Sequence, residues 1–439
     1  DEHPWFEEAR KSRHNPYYNY YHWWPAEKGE PPLRLSYFDE EGNAWTYNKP
    51  TDSYYLHYFS RKQPDLNWEN PEVRQEIFDM MRFWFDKGID GFRMDSISLI
   101  AKDPSFPLID SKKYPDIFSF YAKEPRLHLY LHEMNRQVLS KYDCMSVGEG
   151  SAVMVDDVAK FVDPAREELN MLYHFDAARI RNTTLPDNPE SGIDYSLIAL
   201  KKMFTEWDKA VDKGWPSIYL GNHDQPRMVS RFGSDKDEFR ALSAKMLITF
   251  LLTMRGTPYW FAGDEIGMRN IRFDHIEDYN DIDTINRYKK AKAEGKDPQA
   301  VLDEQKETGR DNARTPFQWD RSPEAGFTAG TPWLKVNPDY TWINVADEEK
   351  DPTSILNYFK KVVSFRKENP SLIYGSYHLL DAENPQSYTF LRKTGADTYL
   401  IMLNFSPKAA ISTPGIDMSN AHVLLDNYGD RSHMAPQKD

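Results

Sequence analysis

Three acidic residues follow short apolar runs at widely separated points of the chain. They are Asp95, Glu149 and Asp224. The runs are of strand type, and in a barrel of parallel strands the three carboxylates would converge at the carboxyl ends of the strands, where active sites lie. Converging carboxylates suit glycoside hydrolysis, in which one group protonates the leaving oxygen and another meets the oxocarbenium-like carbon. One acid at a strand end is usually a helix cap or turn residue, but three in separate units predict a catalytic site.

Local features predict different roles for the first two carboxylates. Arg93 lies two residues before Asp95, so at the strand period of two both side chains point to the same side. A fixed cation there would keep Asp95 ionised, as a nucleophile must be. Glu149 follows an apolar strand and a glycine. A less polar setting would raise the pKa of Glu149 and suit it to act as the acid.

Strand-like and helical runs alternate through the middle of the chain. Besides the runs that carry the carboxylates, strand-like runs lie at 169–175 and 257–262. Helical runs are predicted at 71–88, 126–141, 195–213, 237–253 and 354–369. Asn70 and Pro71 supply an N-cap and a first helical residue for the first of these helices. The alternation predicts an α/β fold of βα units with a parallel sheet.

The flanking segments have other patterns and predict the domain organisation. Residues 1–70 are rich in Pro, Tyr and Trp and lack a helical period, which predicts an irregular, partly extended subdomain. Residues 71–370 are predicted to form the catalytic domain, with a long polar loop at 270–345 that contains a helical patch. Short alternating runs in 371–439 predict a small antiparallel β domain.

Composition excludes several classes of protein. The 439 residues contain 55 Lys and Arg against 69 Asp and Glu, a formal net charge of −14. This acidic balance argues against a partner such as nucleic acid or an anionic membrane, because both need a basic face. No apolar run reaches the roughly 18 residues of a membrane span. Cys144 is the single cysteine, so an internal disulfide and a cysteine-built zinc site are excluded.

Two other groups of side chains could bind metal, but their spacing favours structural roles. His128 and His132 lie four apart with Glu133 following, yet the second histidine of a zinc-protease helix is missing, so we predict a structural helix. The acidic residues of the 270–345 segment lack the spacing and the glycine of a calcium loop. We therefore predict a solvated loop for Asp278, Asp281 and Asp283.

Five segments resemble motifs of the α-amylase superfamily, glycoside hydrolase family 13, in the family's order. Four are 63–67 (QPDLN), 91–95 (GFRMD), 147–149 (VGE) and 221–226 (GNHDQP). The fifth, 309–320 (GRDNARTPFQWD), is similar to a hallmark of the oligo-1,6-glucosidase, α-glucosidase and sucrose isomerase branch. The resemblance covers essentially the whole chain. It implies a (β/α)8 TIM barrel, a subdomain inserted after the third strand and a C-terminal antiparallel β domain.

The resemblance also implies a role for each carboxylate. Asp95 resembles the nucleophile, Glu149 the general acid/base, and Asp224 the third carboxylate, which grips sugar hydroxyls and stabilises the transition state. The implied reaction is retaining, with a covalent glucosyl-enzyme and two carboxyl groups about 5–5.5 Å apart.

Four further residues are implied to bind substrate. Arg93 and His223 resemble residues that contact the nucleophile and the sugar in the glucose-binding subsite. Arg314 resembles the arginine that anchors the non-reducing glucose, and Phe59 resembles an aromatic side chain that lines the same pocket.

The resemblance places residue 1 in the loop after the third barrel strand. We therefore expect the first three strands to be absent from this sequence and the sequence to be part of a longer chain. We expect no cofactor and no metal site, since the calcium ion of some family members would bind in the absent segment. A monomer or homodimer in the cytoplasm is expected, although a periplasmic or secreted location stays open.

The sequence favours a retaining, exo-acting α-glucosidase that hydrolyses short α-glucosides of the maltose and isomaltose type, with sucrose as a further substrate. A sucrose isomerase or transglucosylase of the same branch is the alternative, although 179–182 lacks the aspartates of an isomerase run. A non-catalytic relative that serves as an ancillary subunit is less favoured, because all three carboxylates are present. Ser96 matches neither the valine typical of α-1,6 enzymes nor the alanine or threonine of α-1,4 enzymes, and its small size leans towards α-1,4 or mixed specificity.

Overall fold

The computed structural model describes residues 1–38, 42–110, 112–114, 117–187, 194–395 and 397–428, without the side chains of 117 and 181–183. The chain divides into two compact units. The first unit comprises Asp1–Phe175 and Ala210–Trp215, and the second comprises Asp176–Lys209 and Pro216–Asp439.

The first unit begins with an antiparallel sheet that the sequence pattern did not reveal. A short helix, α1 (Pro4–Ala9), precedes strands β1 (Trp23–Pro25), β2 (Trp45–Asn48) and β3 (Ser53–Leu56), which pair in the order β1-β3-β2. Strands of three or four residues are too short for a period of two to stand out. Aromatic side chains, among them Trp45, Tyr58 and Tyr121, fill the core behind this sheet.

A parallel sheet follows in the first unit and carries two of the predicted carboxylates. Its elements are α2 (Pro71–Phe85), β4 (Gly91–Met94), α3 (Ile117–Tyr121), α4 (Pro125–Gln137), β5 (Met145–Glu149), α5 (Ala159–Val162) and β6 (Met171–Tyr173). The strands pair in the order β4-β5-β6. As the sequence predicts, Asn70 caps α2, and its side chain accepts a hydrogen bond from the amide of Glu72 at 2.9 Å.

The second unit opens with further β/α elements. They are α6 (Asp176–Thr183), α7 (Leu197–Ala210), β7 (Ser217–Ile218), α8 (Met228–Phe232), α9 (Asp237–Thr253) and β8 (Thr257–Pro258), and β7 pairs with β8 in parallel. Helix α9 has the predicted bounds. Strand β7 is much shorter than the predicted run, so Asp224 lies in the loop after the strand rather than at its last residue.

The rest of the second unit is helical and then antiparallel. The predicted polar segment carries α10 (Ile282–Ala293) and α11 (Pro298–Thr308). After it come α12 (Val345–Glu348), α13 (Ile355–Glu368), α14 (Pro370–Tyr374), β9 (Ser376–Leu380), β10 (Ser387–Thr394) and β11 (Asp397–Asn404). The three strands form an antiparallel sheet in the order β11-β10-β9, as predicted for the C-terminal region.

Each unit contains a buried lysine that ties distant segments together. In the first unit, Lys102 is 3% exposed and its ammonium lies 2.7 Å from the carboxylate of Asp65. In the second unit, Lys201 on α7 is fully buried and donates to the carbonyls of Asp381 and Asn384 at 3.0 and 2.7 Å. Lys201 also donates to the carbonyl of Ser387, the first residue of β10.

Among the described residues, the structure contains no helix whose length and apolar character suit a membrane crossing.

Candidate active site

One guanidinium contacts two carboxylates at the carboxyl ends of β4 and β5. Asp95 directly follows β4 and Glu149 is the last residue of β5. Arg93 Nη1 donates to Asp95 Oδ1, and Arg93 Nη2 lies 2.8 Å from Glu149 Oε1. The two strands run parallel in adjacent positions of one sheet, which is why their last side chains meet at the same edge.

The surroundings of the two carboxylates differ in exposure and in nearby charge. The Asp95 side chain is 73% exposed, whereas that of Glu149 is 8% exposed. Burial raises the pKa of Glu149, and the nearby charge of Asp95 raises it further, against the lowering effect of Arg93 and of a backbone amide. At a given pH, the protonated form is therefore more populated at Glu149 than at an exposed glutamate.

That backbone amide belongs to Ser96, and it is a contact that sequence reasoning did not find. The Ser96 N–H donates to Glu149 Oε2 at 2.8 Å. Sequence patterns describe side chains, whereas this contact depends on the backbone angles of the residue after Asp95. The only available signal was the position of Ser96 at the turn that ends the strand.

Phe59 lies in an aromatic cluster of the first unit. Its ring centroid is 5.8 Å from that of Phe38 and 6.3 Å from those of Tyr37 and Phe118. Tyr37 is more than half exposed, so the cluster offers aromatic surface to solvent. A surface of this kind suits the apolar face of a sugar ring.

In the second unit, two of the predicted residues, Arg314 and His223, lie close to the predicted carboxylate Asp224. Arg314 Nη2 donates to Asp224 Oδ1 at 2.7 Å, and Arg314 Nε donates to the carbonyl of His223 at 2.8 Å. His223 Nε2 lies 3.3 Å from Asp224 Oδ2. The amide of Asp224 donates to the side chain of Asn222 at 2.8 Å, which fixes the turn that carries the carboxylate.

Two more residues extend this cluster, and one corrects the sequence prediction. Arg310 Nη1 donates to Asp224 Oδ1 at 3.3 Å, and Arg310 Nε donates to Asp281 Oδ1 at 2.9 Å. Asp281 was predicted to lie in a solvated loop, but it is 2% exposed, and Arg314 Nη1 also lies 3.8 Å from its carboxylate. The prediction was wrong because it tested only for calcium spacing, while Asp281 caps α10 and pairs with two arginines.

Metal-binding geometry is not found around these residues. Within the described ranges, no group of three or more His, Cys, Asp or Glu side chains is arranged to hold a metal ion. His128 and His132 lie on α4, and His128 Nδ1 contacts the buried carboxylate of Glu168 at 2.8 Å. His132 Nδ1 instead lies 3.1 Å from the carbonyl of Arg166.

Comparison with known proteins identifies the family. The sequence-family model of the α-amylase catalytic domain matches residues 1–375. An oligo-1,6-glucosidase from Parageobacillus thermoglucosidasius is 50% identical over 439 residues, which cover 98% of this chain and 77% of that protein.

Solved structures show a similar fold. A trehalulose synthase crystal structure matches with a TM-score of 0.86 and 41% identity, over 92% of this chain and 73% of that one. An isomaltulose synthase from Erwinia rhapontici gives the same TM-score and identity over 92% and 72%.

The fold, the paired carboxylates and these relatives define a glycoside hydrolase of the α-glucosidase type. The chain belongs to the α-amylase family. Its parallel β/α elements and C-terminal antiparallel sheet are consistent with the TIM barrel and C-terminal domain of that family.

Proposed function

We propose that the protein is a retaining, exo-acting α-glucosidase that acts on short α-glucosides. The observation that carries the proposal is the contact of Arg93 with both Asp95 and Glu149. A single fixed cation holds an exposed carboxylate, which suits a nucleophile, next to a buried carboxylic acid, which suits a proton donor.

In the proposed first step, Glu149 gives its proton to the glycosidic oxygen while a carboxylate oxygen of Asp95 attacks the anomeric carbon. The bond to the aglycone breaks, the aglycone leaves as an alcohol, and glucose stays covalently bound to Asp95. Glu149, now ionised, then takes a proton from water, whose oxygen displaces Asp95 at the same carbon. Two inversions give net retention. Side chains supply all of this chemistry, so we propose no organic cofactor.

The residues around Asp224 are proposed to bind the transferred glucose. Asp224 would accept hydrogen bonds from sugar hydroxyls, and Arg314 and His223 would donate to the sugar. Phe59 is proposed, from its resemblance to an aromatic residue of the family, to contact the substrate. The support for the first three residues is their mutual arrangement: Arg314 contacts both the Asp224 carboxylate and the His223 carbonyl, so the three groups hold one another in a defined orientation.

The aglycone that the site accommodates decides which linkage is cleaved, and the acceptor of the glucosyl group decides the products. The P. thermoglucosidasius relative is named an oligo-1,6-glucosidase, whereas the small Ser96 leans towards α-1,4 or mixed specificity. We propose cleavage of both linkages. The trehalulose and isomaltulose synthase structures favour a second candidate, sucrose isomerisation, in which fructose rather than water attacks the same intermediate.

Two measurements test the proposal. Incubation of the complete protein with maltose, isomaltose and sucrose, followed by separation of the products, should give mainly glucose from the first two. Isomaltulose or trehalulose as the main product from sucrose would favour the second candidate. Asp95→Asn should lower kcat by at least about 10³-fold. A near-wild-type rate in Asp95→Asn would contradict the assignment.

The domain organisation is part of the same proposal. It comprises an inserted subdomain over 1–70, a catalytic domain over 71–370 and a C-terminal β domain over 371–439. Sedimentation should show a monomer or a homodimer.

A further inference from the structure

The backbone at Ser96 has a conformation that side chains disfavour. Its φ is +44° and its ψ is 33°, in the left-handed region where the Cβ atom crowds the following carbonyl. Glycine would adopt these angles without that crowding. Strain of this kind persists only where the surrounding structure enforces it, and it concentrates at functional sites.

The left-handed turn directs the Ser96 amide at Glu149. The N–H donates to Oε2 at 2.8 Å, while Arg93 holds Oε1 at the same distance. Each carboxyl oxygen of Glu149 therefore has its own donor. One donor is a side chain, and the other is a backbone group whose direction is fixed by φ and ψ.

The residues that follow Ser96 hold the strained turn in place. Ile97, Ser98 and Leu99 are all buried, and the amide of Leu99 donates back to the Ser96 carbonyl at 2.9 Å. Ser98 Oγ donates to the carbonyl of Ser151 at 2.9 Å, which ties the turn to the loop after β5.

A glycine on β5 allows this close packing. A Cβ atom at Gly148 would lie 2.8 Å from Cγ2 of Ile97, too close for any real side chain. Gly148 directly precedes Glu149. The turn after β4 and the end of β5 therefore fit together only because this position lacks a side chain.

We propose that the left-handed backbone of Ser96 is a positioning device that aims its amide at Glu149 and fixes the carboxyl group for proton transfer. The inference rests on the proposed function of Glu149 as general acid/base. Ser96 acts here through Glu149, and its hydroxyl is not required.

The groups that face Glu149 define the expected pH effect. Arg93 on β4 and Asp95 directly after β4 lie near Glu149, and the Ser96 amide approaches it from the following turn. Tyr173 is the register partner of Glu149 on β6. The amide and Arg93 favour the ionised form, whereas burial and Asp95 favour the protonated form. Loss of the amide should raise the pKa of Glu149. Since the acid must be protonated in the first step, the alkaline limb of kcat/KM should move to higher pH.

The direct test replaces Ser96 by glyceric acid, its α-hydroxy analogue, in the complete protein. The resulting ester keeps the side chain and removes only the N–H. We expect the alkaline limb to rise by about one pH unit, since the lost bond is to a charged group. A fall of kcat by about tenfold should accompany it. Ser96→Gly keeps both the amide and the positive φ, so its pH profile should match the wild type.

A second variant makes the test independent of ester incorporation. Gly148→Ala puts a Cβ atom 2.8 Å from Cγ2 of Ile97, so it should displace the turn and shift the limb in the same direction as the ester. Gly214→Ala is the matched control, because a Cβ atom there would be equally crowded, 2.7 Å from the carbonyl oxygen of Val162, and Gly214 contacts none of the site residues named above. That control should leave the pH profile unchanged.

The outcomes separate the inference from the proposed function. An unchanged limb in both the ester and Gly148→Ala, together with an inactive Glu149→Gln, would overturn the role of Ser96 and leave the proposed function standing. A Glu149→Gln variant with wild-type activity and pH profile would overturn both.

Discussion

Arg93 and Glu149 form an ion pair of 2.8 Å in which the arginine side chain is 34% exposed and the glutamate side chain 8% exposed. Water solvates the cation, whereas the buried carboxylate depends on protein donors. The pair is therefore more important for Glu149 than for Arg93, and the ionised state of Glu149 in the second half of the reaction needs this guanidinium.

Arg93→Gln removes the charge between the two carboxylates. We expect kcat/KM to fall by about 10²–10³-fold, because Asp95 would be less stabilised as an anion and the pKa of Glu149 would rise. Steady-state kinetics as a function of pH checks both effects. Arg93→Lys keeps the charge, but an ammonium group cannot contact both carboxylates as a fork. The kcat/KM of this variant should therefore lie between those of Arg93→Gln and the wild type. Equal rates for all three proteins would contradict the electrostatic role.

Arg314→Lys should weaken substrate binding more than it slows chemistry. The arginine bonds both the Asp224 carboxylate and the His223 carbonyl, and a single ammonium cannot make both contacts. We expect KM for maltose to rise at least about tenfold, with a smaller change in kcat. Arg321→Lys is the control, because Arg321 likewise pairs with an aspartate, Asp347, but its side chain is exposed. A lowered kcat at unchanged KM would show that Arg314 contributes to the chemical step rather than to substrate binding.

Lys102→Met should destabilise the protein strongly. It leaves the Asp65 carboxylate buried without its cation, for which losses of about 3–5 kcal/mol in the free energy of unfolding are typical. Urea unfolding measures this loss. Adding Asp65→Asn should restore most of it, since no uncompensated charge remains. Lys11→Met breaks an exposed pair with Glu8 and should lower the free energy of unfolding far less, because water solvates both charges. Similar losses in both single variants would contradict the importance of burial.

Because of Lys201, the free energy of unfolding should depend on pH in the alkaline range. Burial lowers the pKa of Lys201 to about 8 from 10.5. Between these values the unfolded chain binds a proton that the folded chain does not, so the free energy of unfolding should rise with pH by about 1.4 kcal/mol per unit. Below pH 8 both states are charged and this dependence disappears.

The measurement compares urea unfolding of wild type and Lys201→Met from pH 7 to 10. The wild type should gain stability relative to the variant only above pH 8. Lys202→Met, on the same helix but with an exposed side chain, should parallel the wild type. Parallel curves for wild type and Lys201→Met would show that the ammonium is not deprotonated in the folded protein.

Predictions from sequence were most accurate where one periodicity runs for several turns. Helix α9 has the predicted bounds, and α13 lies within one residue of its predicted bounds. They were less specific in the first 70 residues, for which an irregular, partly extended segment was predicted without the sheet of β1, β2 and β3, because those strands are too short to show alternation. Strand β7 was predicted too long for a related reason, because the apolar run continues into the loop that carries Asp224.

The candidate site divides in the same way between local and non-local information. Asp95 and Glu149 could be predicted because each ends a strand, and parallel strands bring their carboxyl ends to one edge. Arg93 could be placed beside Asp95 because the strand period of two is a local property. The contacts of Asp281 could not be predicted, because its partners Arg310 and Arg314 lie about 30 residues further along the chain. Only the conformation of the loops brings these residues together.

The amino-acid sequence was therefore sufficient for the family, the parallel and antiparallel regions and the identity of the three carboxylates, because motifs and short-range periodicity encode them. It did not reveal which donors hold each carboxylate or how deeply each is buried. Burial, the left-handed turn at Ser96 and the two-sided contact of Arg93 arise from packing between segments distant in sequence, and these set the pKa that distinguishes Glu149 from an ordinary glutamate.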